Sequence, residues 1–176
     1  MAFITWLHNW QLSTPFGLLI PTPLAVVTLV LFVWSIGPAI KLKVGRPMVW
    51  WLRLTWVLTL LPAVTGTILA LGGGKVASAI ATTNPTIIQK CAEAGAKVAG
   101  GITRYCNQPD PKRNLEHWMY AGLAIVSLYI IEVLIAGKLV SPKIGLRVLP
   151  LVAFFLWGCC FMVYRVAVLP GASAGT

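Results

Sequence analysis

The chain has 176 residues, of which 58% are hydrophobic and only 10% charged, with a formal net charge of +10 and a mean hydropathy of +0.84. Soluble domains carry about 45–50% apolar and about 25% charged residues, so a soluble enzyme, a disordered tail and a secreted disulfide scaffold do not fit. The composition reads as an integral membrane protein, a single membrane domain over 1–176.

Residues 1–14 read as an interfacial segment. Phe3, Ile4, Leu7 and Trp10 share one side of a short helix, with Trp6 and Trp10 at headgroup level. The segment has no basic start and no small-residue cleavage site after a short apolar core, so a cleavable signal peptide is not expected.

Four apolar segments follow, at 21–40, 48–71, 115–137 and 148–169. Each is close to the ~20 residues a helix needs to cross the hydrocarbon layer. Barrel strands would be half as long and would alternate in polarity, so the expected class is all-α with four transmembrane helices. Trp50, Trp51 and Trp118 fall near span ends, where aromatic belts form.

The joints carry the charge. Lys41, Lys43 and Arg46 lie between the first two spans, and Lys138, Lys143 and Arg147 lie between the last two, with no acid in either joint. Basic residues that bracket apolar segments mark a bilayer boundary rather than a nucleic-acid surface. The expected partners are therefore membrane lipids and other membrane-protein subunits, not nucleic acid. Two hairpins with cytoplasmic basic turns place both termini and the loop 72–114 on the periplasmic side of a bacterial inner membrane. An organellar inner membrane gives the same pattern, read against the matrix. The loop has six basic residues of its own, but at lower density and mixed with Glu93 and Asp110.

Within that loop, Asn84-Pro85 is a helix-start signal. Ile88, Cys91, Ala92, Gly95 and Ala99 then recur at helical spacing opposite Lys90, Glu93 and Lys97, up to Gly100-Gly101. This predicts an amphipathic helix over 85–99. Cys91 and Cys106 are expected to form a disulfide in an oxidising compartment, stabilising the loop by about 3 kcal/mol in the chain-entropy model. Cys159 and Cys160 lie inside the fourth span and read as small apolar packing residues.

Charges inside the spans are few. Glu132 is six residues before Lys138 and Arg53 seven after Arg46, so antiparallel spans place both roughly 10 Å inside the basic boundary. The matched depth predicts a structural ion pair between them. Arg165, near the far end of the fourth span, is expected to reach headgroups or Glu116. Thr55, Thr59 and Gly66 share one side of the second span as packing contacts, and Pro62 is a candidate kink.

The chain has two histidines, His8 and His117. They are candidate cofactor ligands: a haem between transmembrane helices takes two axial imidazoles, and a chlorophyll-type magnesium takes one. The competing reading is a pair of interfacial histidines at helix ends. The sequence holds no metal-ligand spacing, no phosphate-binding glycine loop and no nucleophile elbow, so it names no catalytic residue and an enzyme is not expected.

These features predict a non-catalytic auxiliary subunit of a larger inner-membrane complex of bioenergetic type. The alternative is a haem-, pigment- or quinone-binding electron-transfer subunit. A small transporter or channel lined by Arg53 and Glu132 ranks third.

Overall fold

The computed structural model describes residues 2–8, 22–74, 76–78, 85–86, 89, 93, 98–99, 102–103, 108–109, 111–137 and 140–168. Among them are four helices long and apolar enough to cross a membrane: α2 (Pro23–Lys41), α3 (Arg46–Leu71), α4 (Pro111–Ala136) and α5 (Pro142–Val168). A short α1 (Ala2–His8) precedes them. The remainder of the expected interfacial segment, including Trp10, lies outside the described residues.

Proline sets the helix starts. Thr22 precedes Pro23, and its hydroxyl accepts the Ala25 N–H at 3.2 Å. Gly45 precedes Arg46-Pro47, and Ser141 precedes Pro142, with its carbonyl accepting from Ile144 and Gly145 at 3.0 Å. A first-turn proline gives up only an amide that has no helical partner, and its fixed φ suits the helix. This is why α5 begins six residues before the expected 148 and α4 begins four before 115. At the other ends, Gly137 turns left-handed with φ 64°, and its N–H returns to the Val133 carbonyl at 3.1 Å. Leu42 makes the same turn after α2, at φ 53°.

The helix α5 is the hub. It packs along α4 and against α2, while α3 leans on α2 and α1 lies on α3. Leu31, Met48, Leu52, Leu128, Ile131, Leu149 and Leu156 form the centre. Lipid tails are as apolar as leucine, so close packing must hold such helices together. Ala25, Ala124 and Ala153 are accordingly buried. A Cβ on Gly145 would stand 2.9 Å from the Leu134 carbonyl oxygen, so only glycine lets α5 cross the end of α4 this closely. Buried hydroxyls return to their own helices: Thr55 donates to the Trp51 carbonyl at 2.9 Å, Thr59 to Thr55 at 2.8 Å and Ser127 to Leu123 at 2.7 Å. Trp51 ties α3 to α2 through an indole N–H donated to the Val27 carbonyl at 2.9 Å.

Two short antiparallel ladders occupy the loop. β1 (Ala77–Ser78) pairs with β4 (Gln108–Pro109), and β2 (Val98–Ala99) pairs with β3 (Ile102–Thr103). The expected loop helix is therefore corrected at its end. Pro85, Thr86, Gln89 and Glu93 are helical, but Val98 and Ala99 are extended. Gly100-Gly101 separates β2 from β3, and a Gly-Gly pair suits a two-residue hairpin connection as well as it suits a helix stop. The other residues of 85–99 lie outside the described set.

Candidate functional site

The two histidines come from the end of α1 and the first turns of α4, and the fold brings them together. Their ring centroids are 6.2 Å apart, with the ring planes at 61°. They meet at the end of the bundle opposite the basic turns, where α3 finishes, α4 starts and α5 finishes.

Each ring is fixed by its Nδ1. His117 lies 3.1 Å from the Val163 carbonyl. A carbonyl only accepts, so Nδ1 carries the proton and donates. Nδ1 of His8 lies 3.2 Å from the Thr65 hydroxyl. That hydroxyl also reaches the Leu61 carbonyl at 2.9 Å and the Pro62 carbonyl at 3.2 Å, so with its proton on either carbonyl its oxygen accepts from His8 Nδ1. Both neutral rings then keep their proton on Nδ1 and a lone pair on Nε2. Among the described residues, neither Nε2 makes a hydrogen bond.

Two further features seat His8. A Cβ on Gly66 would lie 2.8 Å from its Cε1, so the glycine opens the socket on α3. Partial burial of the ring lowers the His8 pKa below the ordinary histidine value, offset in part by the Pro62 carbonyl. Burial thus favours the neutral imidazole, the form that binds metals.

Sequence reasoning named both histidines but not their supports. Thr65 and Val163 carry no local signal, because their carbonyl and hydroxyl contacts arise from helix packing. Gly66 was read only as a packing residue.

The structure does not bring Arg53 and Glu132 together. Among the described residues the one ion pair joins Arg113 to Glu116 at 3.5 Å, within α4, so Glu116 is paired along its own helix rather than with Arg165. Arg53 and Glu132 are both exposed, and Arg53 lies over the Trp50 ring at 5.8 Å. The helix α3 packs chiefly on α2 and α4 on α5, and no ion pair joins Arg53 to Glu132 within the chain. Cys91 and Cys106, the expected disulfide, lie outside the described residues. Cys159 and Cys160 are free and buried.

Comparison with protein-family models, with curated proteins and with solved structures gives no match for this chain.

Proposed function

We propose that the chain is an electron-transfer subunit of the membrane that holds one metal-centred cofactor, of haem class, between His8 and His117. The reading rests on one observation: two imidazoles from separate helices stand 6.2 Å apart with Nδ1 committed on both. The rings stand in an edge-to-face contact, and His8 and His117 are the residues that would hold such a group, which would supply one-electron redox chemistry. A ligating histidine typically donates its other ring N–H to a carbonyl or a similar acceptor, as His117 does to Val163, and the Thr65 hydroxyl stands where it would accept from His8. Two available imidazoles suit six-coordinate haem iron better than a chlorophyll magnesium, which takes one. The experiment is purification in mild detergent followed by metal analysis and a visible absorption spectrum. A haem spectrum at about one equivalent per chain, altered in His117→Ala, is expected. A colourless, metal-free protein would refute the reading.

A second reading keeps the chain a cofactor-free auxiliary subunit, with His8 a latch that seats α1 on the bundle. The close fit of His8 to Gly66 and Thr65 favours it. An aromatic ladder on the bundle surface also suits assembly with other subunits. Phe32 and Phe154 are 5.2 Å apart, and Phe154 and Trp157 5.8 Å apart. In either reading the placement of Lys and Arg supports a multi-pass protein of a bacterial inner membrane, with the histidines toward the periplasmic side.

A further inference from the structure

We propose that the α3–α4 face is an interface with a second copy of this chain, closed by two reciprocal ion pairs between Arg53 and Glu132. The proposal is independent of the histidine site.

On α3, Arg53 shares a stripe with Val57, Leu60 and Val64, all exposed. This stripe lies away from the flank that Trp51 ties to α2. On α4, Glu132 follows Tyr129 on a stripe away from the side that lines a groove with α5 through Leu123, Val126 and Ile130. Tyr129 is 60% exposed. Each charge therefore sits on an exposed face of its helix, away from the neighbour that helix packs on most, and α3 and α4 pack sparsely on each other. Among the described residues Glu132 makes no ion pair.

The second step is symmetry. The helix α3 runs away from the basic end and α4 runs back to it. A two-fold axis parallel to the helices turns this face onto itself. It sets α3 against α4 of the second copy, antiparallel, with depth preserved. Arg53 of each copy then meets Glu132 of the other, because both lie roughly 10 Å from the basic boundary. One face carrying a cation and an anion at equal depth on antiparallel helices is self-complementary, as an isologous dimer interface requires. Each pair also removes two unpaired charges from contact with lipid.

The test is subunit counting on the full chain in lipid nanodiscs and by photobleaching in dilute vesicles. Two copies are expected for the wild type. Arg53→Glu and Glu132→Arg should each weaken dimerisation about tenfold or more, and the double reversal should restore it. A wild type that remains single, or a double reversal no better than either single change, would overturn the proposal. A separate check uses milder changes at neighbouring positions: copies carrying Val57→Cys should cross-link to copies carrying Tyr129→Cys. Absence of that cross-link between folded copies would count equally against the interface.

Discussion

Gly66 on α3 faces His8 so closely that a Cβ there would lie 2.8 Å from the imidazole Cε1. The contact couples a hydrogen atom on one helix to the seating of another. It makes α1 a docked element whose position depends on a single glycine. With α1 docked, His8 reaches His117; with α1 displaced, it cannot.

Gly66→Val should therefore release α1 while leaving the four long helices packed. The loss includes the His8–Thr65 hydrogen bond, about 0.5–1.5 kcal/mol. Hydrogen exchange in α1 should accelerate to that of a free peptide, with α4 and α5 unchanged. Protection in α1 equal to wild type would show that the socket tolerates a side chain.

In the cofactor-free protein, acid should release α1 in the same way. Burial holds the His8 pKa below its ordinary value. The undocked ring, with pKa about 6.5, then binds a proton more readily than the docked one. Docking is fully stabilised above about pH 6.5 and is lost as pH falls below it. The groups facing the ring are the Thr65 hydroxyl, His117 and the Pro62 carbonyl; the carbonyl offsets part of the burial effect, and none of the three is a carboxylate. Exchange in α1, followed from pH 8 to pH 5, should rise across that window, and His8→Gln should flatten the profile. A pH-independent wild type would contradict the linkage.

The four long helices were legible because apolar length and flanking charge are local properties of a sequence. Their starts were misplaced where a proline signal stood outside the apolar run: Ser141-Pro142 extends α5, and Asp110-Pro111 extends α4. Spacing along a helix was readable from residue count alone, as for Arg53 after Arg46. Adjacency around the bundle was not, because it depends on which faces interlock, and here Gly145 against Leu134 and Trp51 against Val27 decide that. The histidine pair shows the same division. His8 and His117 were nameable from rarity and residue chemistry, whereas their meeting required α1 to fold back onto α3.

Topology provides a further prediction. Cysteines introduced at Lys43 and at Ser173 should label from opposite faces of intact membranes, with Lys43 on the cytoplasmic side. In the same preparation, trapped without reductant, Cys91 and Cys106 should be recovered as one disulfide-linked peptide pair, because an oxidising compartment favours the bond. Labelling of both sites from one face would overturn the four-span topology, and free thiols at Cys91 and Cys106 would refute the disulfide and count against the assignment of sides.

The central claim is that His8 and His117 together ligate one metal-centred group. Electron paramagnetic resonance of the oxidised, purified protein tests it most directly, because the signal reports the axial ligands of haem iron. The account predicts a low-spin signal typical of two imidazoles, converted to a high-spin form when either His8 or His117 is replaced by alanine. A protein without a haem signal, or one whose signal survives both replacements, would contradict it.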